Sequence, residues 1–311
     1  MFSQGTRTSG SVLIADIDDI SVGVSVVERS AEAPVTICVA ERMQLGVEDR
    51  SQTQSAAGIS QLLEQCMDAV LKTYAGADAK HTPKSPSEIY CILRSPWTHF
   101  RTAQFEEKYQ APATITKDVI AALAKKALET PSQLDRSNIL EAGVMQVFLN
   151  GYPTANPLGK KATRAMAIAF ESDVNPEIRR AITDVCGKVL PGRTPIIHSG
   201  MRALLTVLHE HIPDIHRYVI VEIGGSVTDC SVIRKESVSQ FAEIKEGSRT
   251  ILKRVAKDGL PEEVVSQLRM IATDTCSSEA CKNVKDALAA SELDLAKSFG
   301  DAFGTLATAR R

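Results

Sequence analysis

Residues 219–229 read VIVEIGGSVTD. A β-branched run enters the paired glycines Gly224 and Gly225 and leaves through Ser-Val-Thr-Asp. That pattern is a strand running into a tight turn. Paired glycines at such a place serve either of two ends. They supply a turn conformation that other residues resist, or they bare backbone amides to a phosphate. The stretch alone does not choose between them.

Working outward, residues 14–26 read IADIDDISVGVSV and residues 221–233 read VEIGGSVTDCSVI. Both are strand, acidic turn, strand, and both open a three-strand meander followed by helices. In the first unit 11–30 holds two strands and APVTICVAE (33–41) the third. Ile59, Leu62, Leu63, Cys66, Val70 and Leu71 then recur at helical steps, which predicts an amphipathic helix over 56–73. EIYCILRS (88–95) reads as a buried strand ending at Pro96.

The middle of the chain has another rhythm. THFRTAQFEE (98–107) alternates like an exposed strand, ITKDVIAALAKKALE (115–129) is a helix with Thr116 as N-cap, and 143–154 and 162–173 are two more strands. Strand, helix, strand, strand is a unit able to fold as an insertion. The layered pattern resumes with NPEIRRAITDVCGKVL (175–190), a helix announced by Asn175 and Pro176. A short strand (194–199), a helix (200–212), the second meander (217–247) and helices at 247–257, 261–273 and 279–307 complete the order.

Composition limits the function classes. The 311 residues carry a net charge of -2 and 5% aromatics, which speaks against a broad basic face or a base-stacking platform for nucleic acid. Seven scattered cysteines without a CxxC pair read as reduced thiols in a cytosolic chain. No signal pattern and no spanning apolar run is present in the sequence.

The duplicated turns with an insert in the first half resemble the actin-like ATPase superfamily. The strand-helix-strand-strand unit narrows the likeness to the bacterial FtsA/PilM type, proteins of cell division and type IV pilus assembly. NPLGKKATRAMAIAFESDVNPEIRRAITDVCGKVL and AEIKEGSRTILKRVA are similar to that family in the order of their elements. The resemblance implies an α/β, actin-like (ribonuclease H-like, duplicated) fold. Its parts would be a first actin-like subdomain at 1–95, the insert at 96–172, the return at 173–217 and an incomplete second subdomain at 218–311.

The resemblance also implies a cleft between the turns that takes ATP with Mg²⁺. Asp18, Asp19, Ser21, Gly224, Gly225 and Ser226 would line the phosphates. Asp16, Glu222 and Asp229 would be the catalytic carboxylates, with Asp16 and Glu222 reaching the metal. Several positions depart from the family pattern. Ser226 stands for a third glycine, Val227 for a threonine, and Asp18 and Asp19 occupy the Gly and Ser/Thr places of the first turn. A like-charge pair at about 4 Å costs on the order of 4 kcal/mol at an effective dielectric of 20, so a weak ATPase at best is expected. The family's next glycine turn follows a helix like LDLAKSFGDAFGTLAT, on which this chain ends, so a truncated C-terminus without the division protein's membrane-targeting tail is expected.

The residues also admit plainer readings. Gly224-Gly225 could be a simple hairpin turn, and Asp16, Asp18 and Asp19 a solvated acidic turn whose carboxylates cap it. His198, His209, His211 and His216 lack a zinc spacing. Cys276 and Cys281 flank a polar helix start capped by Ser277 or Ser278, with a regulatory disulfide between them as the lesser alternative, and Trp97 is a packing residue. The resulting expectation is a cytoplasmic scaffold, peripheral at the inner face of the cell membrane through partners or a missing segment. It would bind division or pilus-assembly proteins and self-associate. The alternatives are an active ATPase or small-molecule kinase of the superfamily, and an interaction module using the insert alone.

Overall fold

Leu13, Ala15 and Ile17 alternate along the first strand, and none of the three is exposed to solvent. Their strand lies at the middle of a five-stranded sheet. A computed structural model describes residues 10–30, 34–46, 52–77, 85–212, 215, 217–234, 237–257, 259 and 261–308. The expected loose N-terminal tail lies outside them up to residue 9, and Gly10 already belongs to the first strand.

Strands β1 (Gly10–Ile17), β2 (Ser21–Arg29) and β3 (Thr36–Gln44) form an antiparallel meander. Helix α1 (Gln52–Ala77) returns the chain to β4 (Glu88–Leu93), which lies parallel to β1 on its other edge. The insert follows: β5 (Phe100–Thr114), α2 (Lys117–Leu128), β6 (Ile139–Leu149), a two-residue β7 (Tyr152–Pro153) and β8 (Lys161–Asp173). Its sheet is ordered β5-β8-β6-β7 and is antiparallel throughout. Thr116 caps α2 by accepting from the Val119 amide at 3.2 Å, as its sequence position predicts. The strand expected over 143–154 is two strands, divided at Asn150 and Gly151, whose φ values of 53° and 90° turn the chain back.

Helix α3 (Pro176–Val189) starts at Asn175, whose side chain accepts from the Glu177 and Ile178 amides. Strand β9 (Ile196–Ser199) completes the first sheet in the order β3-β2-β1-β4-β9. Ile59, Leu63, Met67 and Val70 of α1 and Ile178 and Ile182 of α3 meet Leu13, Ala15 and Ile17 in one core. Full burial of each larger aliphatic side chain contributes about 1.5–3 kcal/mol. Helix α4 (Gly200–His211) then leads to the second meander, β10 (Arg217–Ile223), β11 (Thr228–Arg234) and β12 (Ser237–Ile244). Helices α5 (Ser248–Ala256), α6 (Pro261–Ala272) and α7 (Glu279–Thr308) follow, and α7 packs on β12.

One carboxylate ties the insert to the rest. Glu141 of β6 accepts from Arg202 at 2.6 Å and from the Ser199 amide at 3.0 Å, and lies 2.9 Å from His198 Nδ1. Burial would raise its pKa, yet the His198 and Ser199 hydrogen bonds and the Arg202 charge hold it below the ordinary glutamate value. His198 is thus bound to the insert, and His216 lies outside the described residues. The reduced-thiol reading fails at one place: a disulfide joins Cys276, in the loop after α6, to Cys281 in the first turn of α7. Ser278 still accepts from the Cys281 amide there. The sequence signal was weak because five residues of separation match no motif.

Candidate functional site

The turn between β1 and β2 and the turn between β10 and β11 face each other, and a hydrogen bond joins them. Asp18 is consumed by its own turn: Oδ1 accepts from the Ile20 and Ser21 amides at 2.7 and 2.5 Å, and Oδ2 from the Ser21 hydroxyl at 2.8 Å. This is an Asx-type closure. The Ser21 hydroxyl also accepts from Arg42 at 2.7 Å, so neither residue offers a free group to a phosphate. Trp97 does more than pack, because its indole N–H donates to the Asp18 carbonyl at 2.8 Å and fixes the turn from below.

Asp19 is not the solvated residue that a capping turn implies; it is 3% exposed. Its Oδ1 accepts from the Gly225 amide at 3.0 Å, and its Oδ2 is buried without a partner among the described residues. The glycines exist for this approach. A Cβ on Gly225 would stand 2.6 Å from Asp19 Oδ1 and collide with Ile20. Neither Gly224 nor Gly225 takes a positive φ. Behind them the first amides of α5 point at the turn: Ser248 donates to the Gly224 carbonyl and Arg249 to the Gly225 carbonyl, both at 2.9 Å. Those are the amides a helix N-terminus would otherwise turn toward an anion. Gly247 has no room for a Cβ beside the same carbonyls. Ser226 sits half-buried at the tip of the second turn.

The carboxylates expected at a metal are ion-paired. Asp16 meets Arg42 at 2.5 Å and Arg94 at 2.8 and 3.0 Å. Arg94 also reaches Glu222 at 3.6 Å, so one guanidinium spans the two turns. Burial raises the Glu222 pKa, Arg94 opposes this, and Asp16 and Asp18 add to it. Asp229 is 4% exposed and its Oδ1 has no partner among the described residues. Burial pushes its carboxyl up to about 7, against a hydrogen bond from Ser95. Among the described residues no three acidic, His or Cys side chains converge on a metal position. As placed, these turns do not fit a magnesium nucleotide: arginines hold two of the carboxylates, and Asp19 holds the Gly225 amide.

Arg94 and Arg42 were not legible as site residues. Arg94 directly follows the buried strand EIYCIL, and the parallel pairing of β4 with β1 carries it beside Asp16. That position was the available signal, but it needs the pairing partner to be read.

No family model matches the sequence, and no curated protein does either. Among solved structures, the chain is similar to a PilM–PilN type IV pilus biogenesis complex at 12% identity and a TM-score of 0.57. That match covers 97% of this chain and 78% of the other. The fold is actin-like.

Two further structures match with lower scores. One is the ethanolamine utilization protein EutJ from Carboxydothermus hydrogenoformans, at 8% identity and a TM-score of 0.40, over 91% of this chain and 68% of that one. The other is a Bacteroides thetaiotaomicron protein of actin-like ATPase fold, at 9% identity and a TM-score of 0.38, over 86% and 79%. Within the actin-like fold of this chain, the two turns touch directly through Asp19 and Gly225.

Proposed function

We propose that this chain is a non-hydrolysing actin-like scaffold of a bacterial assembly of the type IV pilus biogenesis kind. The observation that carries the reading is the contact of the two turns, in which a side-chain carboxylate accepts the Gly225 amide. A protein that turns over ATP needs those amides and carboxylates free for phosphate and metal. The PilM–PilN likeness supports the pilus branch of the expectation. In this reading the insert at 96–172 docks partners, and the chain works in the cytoplasm at the inner membrane face through them. Among the described residues no helix is long and apolar enough to cross a membrane. Titration with a fluorescent ATP analogue in Mg²⁺, alongside a phosphate-release assay, tests the proposal. No steady release is expected; tight binding with sustained release would overturn it.

One observation favours a working ATPase or kinase instead. Asp229 carries a carboxyl pushed up to about 7, close to the pH at which a general base is most effective. That reading requires measurable turnover that Asp229→Ala removes.

A further inference from the structure

Two helix ends meet at the junction of α6 and α7, and each is closed by its own hydrogen bonds. Just beyond α6, Asp274 takes a φ of 54°. Its amide donates to the Ile271 carbonyl at 3.1 Å, and the Thr275 amide donates to the Met270 carbonyl at 2.9 Å. This is a Schellman closure. Ser278 then caps α7: its hydroxyl oxygen accepts from the Cys281 amide at 3.3 Å, and its carbonyl from the Lys282 amide at 3.1 Å. Only Cys276 and Ser277 lie between the two closures. Their geometry sets Cys276 beside Cys281 with Cα atoms 6.3 Å apart, a separation that a disulfide spans. Cap and main-chain bonds thus bring the sulfurs together, and the disulfide tethers a junction that is closed without it.

The pair differs from the other cysteines and within itself. Cys38 is exposed and free, and Cys66, Cys91, Cys186 and Cys230 are buried and free. Cys281 is buried at 1% exposure, whereas Cys276 is part-exposed between the exposed Thr275 and Ser277. A reductant in solution therefore meets Cys276 Sγ first. A bond between residues five apart closes only a short loop and constrains the unfolded chain little. The helices are joined without it, because Val284, Ala287 and Leu288 of α7 pack with Val255 of α5 and Val264 of α6. Such a bond can open while the fold persists.

We propose that Cys276 and Cys281 form a reversible redox site, opened by a dithiol reductant through Cys276 and closed by thiol–disulfide exchange, which sets how firmly the start of α7 is tied to the end of α6. In opening, a reductant thiolate attacks Cys276 Sγ, the bond to Cys281 Sγ breaks, and Cys281 leaves as a thiolate that takes up a proton. The second reductant thiolate attacks its own sulfur in the mixed disulfide and expels Cys276 in the same way. The chain gains two electrons and two protons, and the dithiol becomes a disulfide. In closing, the Cys276 thiolate attacks glutathione disulfide and releases one glutathione. The Cys281 thiolate then displaces the second glutathione from Cys276. The site does not depend on whether the paired turns hold nucleotide.

Trypsin releases residues 270–282, MIATDTCSSEACK, as one peptide that holds both sulfurs. The full folded chain is equilibrated in glutathione buffers from wholly reduced to wholly oxidised, quenched in acid and alkylated, and this peptide is weighed. Its disulfide and dithiol forms should interconvert along one curve, whichever end the titration starts from. Cys281→Ala should take up glutathione at Cys276 at least about tenfold faster than Cys276→Ser takes it up at Cys281. Melting curves verify that both variants fold, and the titration of the unaltered chain stands without them. Hydrogen exchange at the amides of residues 281–283 should quicken about tenfold on reduction of the unaltered chain, and reductant should not change it in Cys276→Ser. A peptide that stays oxidised in excess dithiol while the chain is folded makes the bond structural and overturns the proposal. A peptide that stays reduced in glutathione disulfide overturns it too, as do equal reactivity of the two sulfurs or equal exchange in the two redox states.

Discussion

Asp19 Oδ1 accepts the Gly225 amide at 3.0 Å across 206 positions of sequence. The turn between β1 and β2 and the turn between β10 and β11 are therefore bonded directly to each other through a side chain of the first.

Asp19→Gly removes both that acceptor and the buried, unpartnered Oδ2. It should raise affinity for a fluorescent ATP analogue in Mg²⁺. Asp18→Gly should not, because Asp18 spends its oxygens within its own turn, and its loss costs about 1 kcal/mol in urea unfolding. Gly225→Ala forces a Cβ against Asp19 and Ile20 and should destabilise by about 1–3 kcal/mol. Equal nucleotide affinity for all the variants would remove Asp19 from its assigned place.

Asp229 makes stability depend on pH with a defined sign. Its carboxyl titrates near 3.8 when unperturbed and is pushed up to about 7 by burial in the fold. Below about pH 4 both states are protonated, and nothing is lost. As pH rises toward 7 the unfolded chain ionises freely while the fold retains the proton, so stability falls across that window and levels off above it. The full loss is on the order of 4 kcal/mol. Asp229→Asn should flatten this part of the profile in denaturation measured from pH 4 to 8. A profile that Asp229→Asn leaves unchanged would refute the assignment.

Arg94 joins Asp16 to Glu222, and Asp16 keeps Arg42 when Arg94 is lost. Glu222 is then left without a cation among the described residues. Arg94→Ala should cost about 1–2 kcal/mol, a modest figure because the guanidinium is part-exposed. Adding Glu222→Gln should recover part of it, and a double-mutant cycle measures the coupling. Strict additivity would mean the 3.6 Å contact carries no energy.

Much of the architecture could be read from residue order, because a duplicated meander and a period change at the insert are local signals. Thr116 and Asn175 cap helices where their types and positions imply. The candidate site was harder. Asp18 and Asp19 are adjacent and identical in chemistry, yet one folds into its own turn and the other crosses to the second. Only packing decides which way each side chain points. Arg42 and Arg94 look like ordinary solvated charges until the pairing of β3 and β4 around β2 and β1 brings them to Asp16. The glycines were noticed for the freedom they give a backbone, but their role is the space they leave for a neighbour.

The Glu141 anchor and the Asp19–Gly225 contact have a joint thermodynamic effect. One secures the insert to α4, and the other bonds the turn of the first meander to the turn of the second. Each contact restrains the parts it joins, so a partner that grips more than one of them has less ordering entropy to supply. Affinity gained this way comes from rigidity instead of contact area.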